Sequence, residues 1–337
     1  MAIAALRPGT DDDAAWFIAL IGACWAEYPG CIFDVDGELP ELRALASHYA
    51  TKGGMLWAAE HDNRIVGMIG VAPLDDGAWE LTKVYVDSTH RGSGLAQTLM
   101  AEAEAHARAA GAVEYKLWTD TRFERAHHFY EKLGYVRAGP IRVLPDISNS
   151  LEFPYWKPVR GVIVRRLDAA GAASAEWMLA DILCTCVEAG AAVSFLPPLD
   201  VGVARDFYHR IARDVAANTR VLLAGWVDGV LAGTATLDCA TPTNQPHRAD
   251  VQKILVHPDA RRRGLGRALM QALEAEADAA GRSLLTLDTH ADDVAEPLYR
   301  SLGYREAGRI PGYALNADGT THATVIYWKT LREASAL

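Results

Sequence analysis

The chain has 337 residues with 33 Lys/Arg against 43 Asp/Glu, and its net charge of −10 argues against nucleic acid as a partner. Half of it is apolar and 23% is charged, an ordinary soluble composition whose length predicts two domains at the usual ~100–200 residues each. No apolar run approaches the ~20 residues that span a bilayer, no signal peptide precedes the first strand, and five cysteines (Cys24, Cys31, Cys184, Cys186, Cys239) without C-x-x-C suggest neither a disulfide framework nor a metal site, so a cytoplasmic protein with no membrane partner is expected.

In chain order, residues 2–6 read as a strand ended by Pro8-Gly9. Thr10 and three aspartates then supply an N-cap and first-turn acids for a helix to about Ala26. A loop over 28–37 leads to a second helix ending near His48, and 55–60 with 65–71 form a hairpin around Asp62-Asn63. Strand 80–86 is followed by a glycine-containing turn and a helix over 95–109, on which Leu95, Leu99, Ala103 and Ala107 recur at helical spacing. Strand 113–119, a short helix 125–133 stopped by Gly134, and alternating segments 135–143 and 151–157 complete the first half.

The order then repeats. Strand 162–167 is followed by helices near 174–189 and 203–217, then by a hairpin of 221–227 and 230–237 around Asp228-Gly229. Strand 250–256, helix 265–280, strand 283–288 and a short helix ending at Leu302-Gly303-Tyr304 follow. Pro297 is tolerated only in a first turn, so that helix is predicted to start near Ala295. Both halves close on Tyr-Trp-Lys, at 155–157 and 327–329, so the duplication covers whole domains, 1–158 and 161–337. The segment 154–161, with two prolines, is read as a short stiff linker.

The clearest repeat is Arg91-Gly92-Ser93-Gly94-Leu95-Ala96, which recurs 170 residues later as Arg261-Arg262-Arg263-Gly264-Leu265-Gly266. Each copy follows a β-branched run and opens an Ala/Leu helix. Glycines let an anion approach the unpaired N–H groups of a helix start, where the helix dipole adds attraction, and arginine supplies mobile positive charge. The pattern is a pyrophosphate cradle. It is neither the dinucleotide G-x-G-x-x-G nor a P-loop ending in G-K-[ST].

This R-x-x-G-x-[GA], twice, resembles the acetyl-CoA signature of the GNAT acetyltransferase superfamily. The resemblance implies an α/β (α+β) fold of two tandem GNAT domains. Each would be a mixed, mostly antiparallel sheet of six or seven strands flanked by about four helices. It also implies that pantetheine lies where two strands splay, bonded by the strand ends Val84-Tyr85-Val86 and Ile254-Leu255-Val256. The second half, through residues 193–199, 244–250 and 309–313, further resembles small-molecule acetyltransferases of the tabtoxin-resistance branch.

Acetyl transfer to an amine needs removal of a proton from the ammonium, stabilisation of an oxyanion by a backbone N–H, and a proton for the leaving thiolate. Glu80 and Asp250, eleven residues before each cradle arginine, match the position where part of the family has its general base; a strand-edge acid paired with a basic neighbour is the other reading. Tyr130 and Tyr299 match the family's acid, although tyrosine at helical spacing is otherwise a core residue. The family's frequent Asn is Phe123 in one half and Asp292 in the other. Phe33–Glu38 is either an acceptor loop or a solvated helix entry, and His247 with Arg248 either contact an anionic group or enter a strand. The expectation is an acetyl-CoA-dependent N-acetyltransferase of a small-molecule amine, without metal, as a monomer or homodimer. Most turnover is expected in the second half, with its complete glycine pattern. The alternatives are a chain in which one half binds acyl-CoA without turnover, or one resembling mycothiol synthase.

Overall fold

The computed structural model describes residues 4–331. Residues 2–3 of the expected first strand and 332–337 of the expected second domain lie outside the described residues. The fold has two compact units. One comprises the chain to Tyr130 together with Gly139–Val159, and the other comprises Glu131–Ala138 with the chain from Arg160.

The first sheet is built from β1 (Ala5–Pro8), β2 (Met55–His61), β3 (Arg64–Pro73), β4 (Ala78–Val86), β5 (Glu114–Asp120), β6 (Val136–Arg137), β7 (Arg142–Val143) and β8 (Leu151–Pro158). Its order is β1-β2-β3-β4-β5-β8-β6, with β7 also on β8. The helices are α1 (Ala14–Trp25), α2 (Leu45–Thr51), α3 (Leu95–Ala109) and α4 (Glu124–Lys132). Phe17, Leu20 and Ile21 of α1 pack with Leu45 and Tyr49 of α2 over Leu56 and Met68 of the sheet. The sheet has eight strands where six or seven were expected, because β6 and β7 are two-residue pieces of the alternating segment after Gly134. Pro154 and Pro158 belong to β8 rather than to a linker, so only residues 159–161 separate the last strand of the first repeat from the first strand of the second.

The second sheet comprises β9 (Val162–Leu167), β10 (Arg220–Val227), β11 (Val230–Asp238), β12 (Arg248–Val256), β13 (Leu284–His290), β14 (Arg305–Leu315) and β15 (Thr321–Thr330), in the order β14-β15-β13-β12-β11-β10-β9. Five helices accompany it: α5 (Ala169–Ser174), α6 (Glu176–Glu188), α7 (Val201–Ala216), α8 (Leu265–Ala279) and α9 (Glu296–Ser301). Asp200 caps α7 by accepting from the N–H groups of Gly202 and Val203, a satisfied helix start. Ala295 is the N-cap of α9, with Pro297 in its first turn, as expected.

The same devices seat the cradle helix in both units. The apolar stripe Leu95, Leu99, Ala103 and Ala107 of α3 is buried, as are Leu265, Leu269, Leu273 and Ala277 of α8. Under α3, a side chain at Gly67 would meet Leu99 at 3.0 Å; under α8, one at Gly233 would meet Leu265 at 2.8 Å, so glycine sets the close helix–sheet distance. The closing lysines clamp the helices from the other end: Lys157 Nζ lies 2.8 Å from Glu104, and Lys329 Nζ lies 2.7 Å from Glu274. This accounts for the recurring Tyr-Trp-Lys.

Two further features open the site. The parallel pairing of β4 with β5 stops at Glu80↔Lys116, and that of β12 with β13 stops at Asp250↔Thr286. Past these points β5 and β13 pair with β8 and β15, so each sheet splits at its carboxylate. On the other edge a bulge sets two residues, 83 and 84, opposite Ile69, with the corresponding irregularity at 253 and 254. Lys83 and Lys253 take φ of 55° and 52°, a conformation costly for a side-chain-bearing residue and a mark of a functional strand end.

Candidate active site

In the first unit two cavities meet at the split. A groove of about 340 Å³ is lined by Val84, Tyr85, Val86, Arg91, Gly92, Gly94, Ala96 and Gln97, the cradle and the strand end before it. A larger cavity of about 610 Å³ is lined by Glu80, Lys83, Trp118, Asp120, Arg142 and Glu152, among others. Trp25, Val84, Tyr85, Phe123, Ala126 and Tyr130 line both, so the two spaces adjoin there.

The cradle is open. Gly92 and Gly94 have φ of 73° and 89°, Gly264 has φ of 90°, and an added Cβ at any of them would meet nothing within 4 Å. Each of these positions therefore leaves the backbone accessible to an anion at a helix start. Leu95 and Leu265 are buried beneath and offer only their N–H groups. Ser93 turns its hydroxyl back to His90 O at 2.7 Å. At Gly266 a Cβ would make ordinary contacts at 3.5 Å and beyond, so Ala96 in the first half is no steric handicap.

Two of the cradle arginines are anchored on the strand before them. Arg91 Nε donates to Val86 O at 3.2 Å, and its two terminal nitrogens clasp Glu27 at 2.7 Å each. Hydrogen bonding to Glu27 raises its pKa further above the usual arginine range. Arg261 Nε donates to Val256 O at 3.3 Å, and Arg263 is paired with Asp228. The strand carbonyl is a fixed acceptor left over where the sheet splits, which explains why arginine recurs there. Arg262 is exposed, with φ of 58°.

The two carboxylates have different surroundings. Glu80 faces the large cavity, and burial pushes its pKa up, partly offset by the charges of Arg142 and Lys52. Asp250 is engaged: its Oδ1 accepts from both Arg248 and Thr286. Arg248, the first residue of β12, pairs with the carboxylate two residues away on the same strand face.

Tyr130 and Tyr299 are both buried, and desolvation holds both phenols protonated well above neutral pH. Tyr130 reaches the junction of the cavities. Tyr299 packs on Tyr304 and Tyr327, with ring centroids 6.2 and 6.0 Å away. Asp292 pairs with Arg309 at 3.3 Å, whereas Phe123 stacks on Tyr28 with centroids 4.5 Å apart. In the 33–38 loop, Asp34 caps its own turn through the N–H groups of Asp36 and Gly37, Asp36 pairs with Arg43, and Phe33 packs on Trp25. Glu38 alone reaches the cavity, where it accepts from Ile147 N at 2.6 Å.

The cavity also holds charged residues that sequence reasoning missed. Arg122 is fixed by Asp120 and Ser150, and Arg142 lies 2.6 Å from Glu152 and 4.2 Å over the Trp118 ring. Most of these come from the hairpin over 139–152, which carries no recurring pattern. Only Trp118, at an alternating position of β5, had a sequence signal. Among the described residues no group of three or more His, Cys, Asp or Glu is arranged to hold a metal ion. No described helix is long and apolar enough to cross a membrane.

The sequence model of the acetyltransferase (GNAT) family matches residues 22–135 and 192–304. N-acetyltransferase 8 of Homo sapiens is 30% identical over 131 residues, 37% of this chain and 55% of that protein. The uncharacterized N-acetyltransferase YjgM of Escherichia coli is 34% identical over 99 residues, 28% of this chain and 59% of that protein. The chain thus spans little more than half the length of these curated relatives. Among solved structures, YncA of Salmonella typhimurium with its cofactor acetyl-CoA aligns at 22% identity and a TM-score of 0.44, covering 52% of this chain and 96% of that one. With two matched segments that together make up more than half of its length, the chain belongs to the GNAT acetyltransferase family, as two tandem copies.

Proposed function

We propose that this protein is an acetyl-CoA-dependent N-acetyltransferase of a small molecule's primary amine, acting by direct attack in a ternary complex, with its main catalytic site in the first half. One observation carries the reading: the cradle groove and the cavity holding Glu80 adjoin at Val84, Tyr85 and Tyr130. The open glycines and the first N–H groups of α3 fit a pyrophosphate, and the strand end 84–86 fits the pantetheine amides. Acetyl-CoA bound there supplies an acetyl group activated as a thioester.

The chain's own groups account for the remaining needs. Glu80, with its raised pKa, accepts a proton from the incoming ammonium, directly or through water. A backbone N–H of the strand end polarises the carbonyl oxygen. Tyr130, kept protonated by burial, donates toward the departing sulfur. The cavity's mix of aromatic walls and fixed ion pairs suits a compact acceptor with apolar and polar parts.

A second reading concerns the other half. Because Asp250 is occupied by Arg248 and Thr286, the second half acts as an acyl-CoA-binding domain with little turnover of its own. This reverses the order expected from the more complete second motif. The test is CoA release across an amine panel for Glu80→Gln and Asp250→Asn, beside CoA stoichiometry by calorimetry. Two bound CoA per chain with activity lost only in Glu80→Gln is the expected result. Activity that survives Glu80→Gln and disappears in Asp250→Asn overturns the assignment.

A further inference from the structure

Lys83 stands in the acceptor cavity without an assigned task. It lies at the bulge of β4, three residues after Glu80 and immediately before the strand end at the junction, with φ of 55°. Its side chain is 20% exposed, and Nζ is 3.7 Å from Glu41 Oε1, a contact looser than a hydrogen bond. The equivalent Lys253 is held differently: its Nζ donates to Ser194 Oγ at 3.2 Å and lies 5.9 Å from the ring centroids of both Phe195 and Phe207. The first half therefore keeps an amine inside the space where an acceptor amine must enter, tied only by one loose ion pair.

We propose that Lys83 is itself an acetyl acceptor: when no amine fills the cavity, the first half acetylates its own Lys83 and thereby closes its acceptor site. The inference rests on the function proposed above. In the step, Lys83 Nζ forms a bond to the acetyl carbonyl carbon as the carbon–sulfur bond breaks. One amine proton passes to Glu80, directly or through water, and the sulfur leaves as a protonated thiol, so no further reactant is needed. Burial, which lowers the Lys83 pKa against the pull of Glu41, increases the share of neutral, nucleophilic amine. The acetylated side chain is longer and uncharged, so it takes up the part of the cavity beside Glu80 where an acceptor amine must stand and removes the partner of Glu41.

The test uses the full chain with acetyl-CoA and no amine, followed by peptide mass spectrometry over time. Lys83 should gain an acetyl group at least about tenfold faster than exposed Lys132, a modest share of what holding reactants together can give. Glu80→Gln should slow labelling at Lys83 but not at Lys132. Preincubation with acetyl-CoA should depress later amine turnover in the wild type and not in Lys83→Arg. Labelling of Lys83 no faster than Lys132, or unchanged in Glu80→Gln, overturns the inference. Calorimetry with acetyl-CoA separates the two proposals: binding without Lys83 labelling defeats this inference alone, whereas no binding defeats the proposed function with it.

Discussion

Glu80 and Asp250 occupy the same position in the two repeats, yet Arg248 and Thr286 hold one while the other faces an open cavity. Where burial raises a carboxylate's pKa, the folded state binds its proton more tightly than the unfolded chain does. Stability therefore falls as pH rises from the unfolded value toward the folded one, and the loss persists above both. Glu80→Gln removes the buried ionised form, so it should raise the melting temperature at neutral pH while lowering kcat/KM by ~10²–10⁴. In the wild type the acid limb of kcat/KM should lie above the ordinary glutamate value of ~4.3. A limb at or below that value would remove Glu80 as the base. Glu27 offers a second test at this scale. It clasps Arg91, and Glu27→Gln frees a cation beside the cradle; one charge-assisted bond to phosphate is worth about 1.5–3 kcal/mol. Calorimetry should show CoA binding about tenfold tighter at the first site, and weaker binding would mean that the clasp positions Arg91 for its ligand.

At the scale of elements, the cradle helices show what a glycine does in each place. Gly94 is an N-cap in the left-handed region, so Gly94→Ala should cost about 1–2 kcal/mol in stability, and its methyl also occupies the space an anion needs. Gly266 has a helical neighbour geometry that accepts a methyl, so Gly266→Ala should leave both stability and CoA affinity close to wild type. Equal losses in the two variants, read by urea unfolding and calorimetry, would mean that the open space above Gly94 is not where the anion sits. The contrast also marks how far the sequence was legible. The strand–turn–helix cradle, the apolar stripes of α3 and α8, and the start of α9 follow from periodicity, glycine and proline, whose physical effects are local. The pairing of Asp250 with Arg248 corresponds to the other reading of that position, an acid paired with a basic neighbour, since residues two apart on a strand share a face. Lys83 at positive φ carried no signal, because lysine does not ordinarily adopt that conformation and the bulge is imposed by pairing with β3. The cavity's Arg122, Arg142 and Glu152 come together only through tertiary folding of segments without a repeat.

At the scale of the whole molecule, the duplication predicts domains 1–158 and 161–337, while the compact units are the chain to Tyr130 with Gly139–Val159 and Glu131–Ala138 with the chain from Arg160. Glu131–Ala138, the end of the first repeat's short helix and the strand after it, groups with the second unit. Two hydrogen bonds tie it to the rest of that unit: buried Trp226 Nε1 donates to Gly134 O at 3.2 Å, and Arg137 N donates to buried Ser174 Oγ at 2.9 Å. A chain cut to residues 161–337 keeps Trp226 and Ser174 but loses both partners. Losing a hydrogen bond of this kind costs about 0.5–1.5 kcal/mol, enough to shift an unfolding midpoint measurably. We therefore expect isolated 161–337 to fold but to unfold at lower urea than the second-half transition of the full chain. Trp226→Phe in the full chain should reproduce part of that difference by removing the N–H donor while keeping an aromatic ring in the core. If isolated 161–337 and the second half of the full chain share one midpoint, the two bonds add nothing to stability, and the division at 158–161 also holds energetically.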